Sequence, residues 1–119
     1  PAIPSIEKKE NISTEEKFQN EVLRPIIKLQ NNLISSYFEH YLERKKIDFQ
    51  KFTDDQTTAF VHKLFKSDTR VKTDLRSLII GLFTLEEYQE YLTLSAQLNR
   101  RINSMIQERV TCYYVHKDR

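Results

Sequence analysis

The sequence predicts an all-α fold: a single-domain bundle of about four main helices, the first of them kinked at Pro25. Three observations lead there. Gly 1 and Pro 3 in 119 residues leave too few turn-makers for a fold built on many tight strand connections. The apolar residues recur at spacings of three and four, not in alternation. Two capping boxes, Ser13 with Glu16 and Thr84 with Glu87, mark helix starts at which a hydroxyl and a carboxylate satisfy amides of the first turn.

Residues 1–12 hold two prolines and the mixed charges Glu7, Lys8, Lys9 and Glu10 without a period. They read as a flexible arm in which Ile3 and Ile6 are anchors. The helical domain is assigned to 13–110. Its first helix carries Phe18, Val22, Leu23, Ile26, Ile27, Leu29, Leu33, Ile34, Tyr37, Phe38, Tyr41 and Leu42. At helical spacing these span an arc of roughly 200°, where a one-sided surface helix needs ~100°. Pro25 interrupts the stripe without shifting its phase, so one kinked helix is preferred to two helices with Pro25 at a new first turn.

Arg44, Lys45 and Lys46 suit the C-terminal end of that helix. A linker follows, with Ile47, Phe49 and Phe52 as buried anchors. Thr53, backed by Asp54 and Asp55, opens a short second helix carrying Phe60, Val61, Leu64 and Phe65. Ser67 or Asp68 caps the third, whose inner face is Val71, Leu75, Leu78, Ile79 and Leu82. The six-residue apolar run Leu78–Phe83 contains the only glycine, Gly81, and abuts the Thr84 cap, so a tight joint is expected between the third and fourth helices. Gly81 is expected to admit a neighbouring backbone. The fourth helix is expected from Leu85 to about Val110, acidic at its start and basic toward its end. Residues 111–119 lose the period and are assigned to a C-terminal tail, for which fraying, extension of the helix and edge pairing all stay open.

Net charge is +2 with 30% charged residues, an ordinary mixed surface. A single cysteine, Cys112, excludes an intramolecular disulfide or a Cys-cluster metal site and suggests a reducing cytoplasm. The longest apolar run, six residues, is far short of the ~20 that span a bilayer. One glycine excludes phosphate-cradling glycine loops. No glutamate has a histidine three residues on, as di-iron bundles require. His40 with Glu43 is the reverse spacing, and His40 reads as a hydrogen-bonded histidine at the core edge. Cys112 and His116, four apart, lack a third group to orient them as a nucleophile pair. No catalytic, cofactor-binding or metal-ligating residue is therefore nominated.

Ser95 and Asn99 fall one turn apart inside the apolar arc of the fourth helix. They read as a buried polar pair, either satisfied by a neighbouring helix or fixing helix register. Lys63, Lys66, Arg70, Lys72 and Arg76 cluster around the second and third helices. That face is the basis of an alternative, nucleic-acid-binding reading, opposed by a third helix committed to the core and a low net charge.

Leu23-Arg24-Pro25-Ile26-Ile27-Lys28-Leu29-Gln30-Asn31, Ile79-Ile80-Gly81-Leu82-Phe83-Thr84-Leu85-Glu86-Glu87-Tyr88 and Leu98-Asn99-Arg100-Arg101-Ile102 resemble segments of a group of small, uncharacterised, all-helical bacterial proteins. Some of these carry a "glyoxalase" label. That label implies a βαβββ metal fold with His and Glu ligands on strands. This chain shows no such set, and neither the activity nor a site residue is carried over.

The favoured function is a non-catalytic, self-associating or protein-interaction module in the bacterial cytoplasm, and an enzyme ranks third. Two helices demand wide cover and two others are short. A strip including some of Tyr37, Tyr41, Tyr88, Tyr91 and Leu94 is therefore expected to lie open and to pair with a second copy as a dimer. No cofactor and no membrane partner is expected.

Overall fold

The computed structural model describes residues 14–115 and is all-α; among them there is no strand. The expected flexible arm, the expected cap at Ser13 and His116 lie outside the described residues. Beyond the helical segment 14–18, the described residues form six α-helices where about four were expected. They are α1 (Arg24–Leu29), α2 (Asn31–Lys45), α3 (Asp54–Ser67), α4 (Thr69–Ile80), α5 (Leu85–Thr93) and α6 (Ser95–Val115).

Pro25 is accommodated by a wider coil rather than by a kink. Residues 14–18 are helical, and Gln19–Leu23 form a π-helical stretch closed by the Arg24 N–H donating to the Gln19 carbonyl, five residues back. A proline has no N–H to give and its ring crowds the carbonyl four residues earlier. One widened turn relieves that crowding while every residue from Phe18 to Arg24 stays helical. The irregular joint comes later, at Gln30 (φ −89°, ψ 7°). Hydrogen bonds from Gln30 N to Ile26 O and from Ile34 N to Gln30 O, both 2.9 Å, carry the path across it. The Gln30 side chain donates to the Leu78 carbonyl at 3.0 Å, tying this joint to α4.

α2 ends at Lys46 in the left-handed region (φ 59°, ψ 44°), with Ile47 N donating to Leu42 O at 2.9 Å. A glycine usually occupies such a cap. The linker anchors Ile47, Phe49 and Phe52 are half-buried. Phe49 gathers Phe52, Phe60 and Tyr114 within 5.5 Å between ring centroids.

Thr53 and Thr84 both form complete capping boxes, with Gln56 and Glu87, and Asp68 caps α4. α4 stops at Ile80, and a turn through Gly81 and Leu82 leads to the Thr84 cap. Gly81 has ordinary helical angles, and a Cβ there would meet its own helix at the Ser77 carbonyl, 3.1 Å away, not a neighbouring backbone. Leu82 is exposed and does not join the inner face of α4.

The expected fourth helix is two. Leu94 (φ −130°, ψ 28°) breaks it without proline or glycine. Just before the break, Thr93 Oγ1 donates to the Glu90 carbonyl at 2.7 Å, the local competition by which a threonine loosens a helix end. α6 then continues past Val110 to Val115, so of the courses left open for the tail, 111–115 extend the helix.

α6 is the hub, lying against α2, α3, α4, α5 and the π-helical stretch. Its buried ridge Leu98, Ile102, Ile106, Val110 repeats every four residues. It packs in one core with Val61, Leu64 and Phe65 of α3, Val71, Leu75 and Ile79 of α4, and Ile34 and Phe38 of α2. Such four-spaced ridges are what interlocking helices present to one another.

Candidate functional site

The residues expected to form an open strip are distributed differently. Tyr41 is buried beside Phe38, with Arg44 and Lys45 over its ring at 5.6 and 5.9 Å. Tyr91 is buried between Phe83 and Tyr88. Tyr37 is half-buried and its hydroxyl donates to Asp74 Oδ2 at 2.8 Å. Leu94 is half-buried against the core, and Tyr88 alone of the five is exposed. The break at Leu94 accounts for Tyr91, because it lets α5 fold against α6. Burial raises the hydroxyl pKa of Tyr37 to about 12, helped by the Asp74 and Asp68 carboxylates and opposed by Arg44.

Of the proposed polar pair, both members are half-buried. Asn99 Oδ1 accepts from Tyr91 Oη at 2.5 Å, joining α5 to α6 across the break. The polar side-chain atoms that lie buried without a partner are others, Asn103 Oδ1 and Tyr114 Oη. His40 is exposed rather than at a core edge.

Apart from Leu82 in the turn after α4, the large apolar side chains that face outward among the described residues fall on two seams. On α1–α2, Leu29 (73% exposed) and Leu33 (54%) lie with exposed Asn32 and Ser36 at the i, i+3, i+4, i+7 spacing of a helix-packing stripe. On α5, Leu85 (72%), Tyr88 (41%) and Leu92 (52%) repeat that spacing with exposed Gln89. Neither seam carries a charge, in a chain with 30% charged residues.

The basic residues of α3 and α4 form a looser group. Lys63, Lys66 and Arg70 are exposed, Lys72 and Arg76 half-buried, and Arg70 reaches Asp74 at 3.8 Å.

A more organised cationic feature lies elsewhere, in an open cleft of about 930 Å³ between α1 and α6. Arg24 and Lys28 line one wall and Arg101 and Arg109 the other, over Ile27 and Met105, with Glu108 the one carboxylate. Arg101 Nε donates to buried Gln19 Oε1 at 2.9 Å, Arg109 to Asn31 Oδ1 at 3.2 Å, and Arg24 Nε to Asn20 Oδ1 at 3.0 Å. Farther along, Tyr113 Oη donates to Glu39 at 3.3 Å. Because the partners advance together, 19 with 101, 31 with 109 and 39 with 113, the two walls run parallel. Sequence reasoning spent Arg101 and Arg109 on the helix dipole. The overlooked signal is the four-residue spacing of Arg24 and Lys28 and the eight-residue spacing of Arg101 and Arg109, each pair on one helix face.

Among the described residues no group of three or more His, Cys, Asp and Glu is placed to hold a metal ion, and no helix is long and apolar enough to cross a membrane. No protein-family model matches the chain, and neither the curated proteins nor the solved structures yield a match, so the resemblance noted above rests on its three segments alone.

Proposed function

We propose that this chain is a non-catalytic helical module of a reducing cytoplasm that associates with a second copy of itself. The observation that supports this is the pair of uncharged seams, Leu29/Asn32/Leu33/Ser36 and Leu85/Tyr88/Gln89/Leu92. Isolated exposed leucines are ordinary. Five large apolar side chains arranged in two helix-packing stripes, with no charge at any of the eight positions, are an arrangement that helix–helix contact uses. Each chain bears each seam once, and a two-fold axis covers a seam by placing a self-complementary surface on it, the commonest closure for a soluble protein. The dimer reading thus moves from buried Tyr41 and Tyr91 to the seams, and keeps Tyr88.

Sedimentation equilibrium at micromolar concentration tests it. The full chain is expected to sediment at twice 14.3 kDa, and a Leu85→Glu/Leu92→Glu variant as a monomer with unchanged helical circular dichroism. A 14.3 kDa species throughout the concentration range overturns the proposal. So does a double variant that stays dimeric when Leu29→Glu/Leu33→Glu is added.

A further inference from the structure

We propose that the cleft between α1 and α6 binds a compact polyanion, a small molecule carrying a diphosphate or triphosphate group. Four cations converge on it from two walls, against one carboxylate. Its three arginines are held by neutral amides, those of Gln19, Asn20 and Asn31. An amide oxygen orients a guanidinium without cancelling its charge and leaves its remaining N–H groups free to donate. The ion pair Arg70–Asp74, at 3.8 Å, lies on another face. Arginines already hydrogen-bonded to neutral amides, with planar guanidinium forks, lose less freedom for each bond made to an anion than lysines do. Their planar forks match phosphate oxygens in pairs.

Size selects the class of ligand. The cleft volume of about 930 Å³ lies within the ~300–1,000 Å³ of small-molecule sites. The cross-wall bonds of Arg101 and Arg109 stand eight residues apart on α6, about 12 Å at ~1.5 Å per residue. A di- or triphosphate group fits inside that interval and is reached from both ends by the long arginine side chains, whereas a polynucleotide would have to run on past both cross-links. Half-buried Met105, backed by buried Ile27, supplies an apolar contact beneath the charges for a nonpolar moiety of the ligand.

The test is isothermal titration calorimetry of the full chain at physiological ionic strength. The probes are inorganic tripolyphosphate, ATP, orthophosphate and a short single-stranded RNA. One tripolyphosphate or ATP per chain is expected to bind in the micromolar range, at least about tenfold tighter than orthophosphate. Affinity that rises from tripolyphosphate to ATP assigns the apolar contact to the organic moiety, and equal affinity assigns recognition to the phosphates alone. Both results support the site. Arg101→Gln/Arg109→Gln should weaken binding about tenfold or more. Arg24→Gln/Lys28→Gln, whose exposed side chains make no bond across the cleft, should do the same if the first variant misfolds. Lys63→Gln/Lys66→Gln on α3 removes equal charge elsewhere and should leave binding unchanged. Absence of binding by tripolyphosphate and ATP overturns the proposal, as does equal weakening by the α3 control or tighter binding of the RNA.

Discussion

Replacing Tyr37 by Phe tests the link between α2 and α4 at a single atom. The ring and its edge contact with Phe38, 6.5 Å between centroids, are kept, while the hydroxyl that donates to Asp74 at 2.8 Å is lost. A hydrogen bond to a charged acceptor contributes ~1.5–3 kcal/mol where it is sheltered. The Asp74 side chain is 42% exposed and also reaches Arg70, so water and the guanidinium replace part of what is removed. A net loss of about 1 kcal/mol at neutral pH follows, a fall of about 4 °C in Tm for a domain of this size. The same contact carries a pH signature. In the unfolded chain the hydroxyl ionises near its ordinary value of 10.0, and in the folded chain, where burial and the Asp74 carboxylate hold its proton, only at about 12. Between these values the unfolded state has given up a proton that the folded state retains, so stability falls as pH rises. The stabilisation from Tyr37 is thus fully present below pH ~10 and is lost progressively toward pH ~12. Urea unfolding followed by circular dichroism, on the wild type and the variant side by side, cancels the other alkaline titrations. The gap between the two is expected to be widest at neutral pH and to shrink above pH ~10. A gap that stays constant to pH ~11 would refute the raised pKa of the Tyr37 hydroxyl, and a variant as stable as the wild type at neutral pH would refute the weight given to its bond with Asp74.

Two further substitutions address helix ends. Thr84→Ala removes the acceptor for the Glu87 amide at 3.1 Å and should cost about 1 kcal/mol, lowering Tm by about 4 °C; an unchanged melting curve would show that the cap carries no weight. Lys46→Gly should raise stability by about 0.5–1 kcal/mol, because a left-handed residue with a Cβ costs ~1–2 kcal/mol and glycine gives part of that back in unfolded-chain entropy. A lower urea midpoint for that variant would mean that the Lys46 side chain contributes more than its strained backbone costs.

The helix starts were legible in the sequence because a cap is made within four residues. Thr84 with Glu87, Thr53 at the head of α3 and Asp68 at the head of α4 need nothing from the rest of the chain. The four-spaced ridge of α6 and the inner residues of α4 were legible for a similar reason, since burial follows the helical period. Breaks without a breaker residue were not. Gln30 and Leu94 are ordinary helix residues, and their irregular angles accompany tertiary ties, Gln30 to the Leu78 carbonyl and Tyr91 to Asn99 across the α5–α6 joint. Pro25, the one residue whose chemistry announces a defect, was instead absorbed by a widened turn.

Surface and interior divided on the same principle. The width of an apolar arc tells how much cover a helix requires but not which neighbour supplies it, so within the group expected to supply an open strip Tyr41 and Tyr91 lie inside and Tyr88 outside, while Leu29, Leu85 and Leu92 face outward. The cationic cleft depends entirely on packing. Arg24 and Lys28 stand more than seventy residues from Arg101 and Arg109 in the chain, and their charges meet only because two helices run parallel and are cross-linked by Gln19 and Asn31. Sequence by itself determined the all-α class, the capped starts and the core ridges, which are local or periodic. Tertiary packing decided where the helices break, which faces remain open and which distant charges share a site, because those depend on which surfaces compete for the same cover.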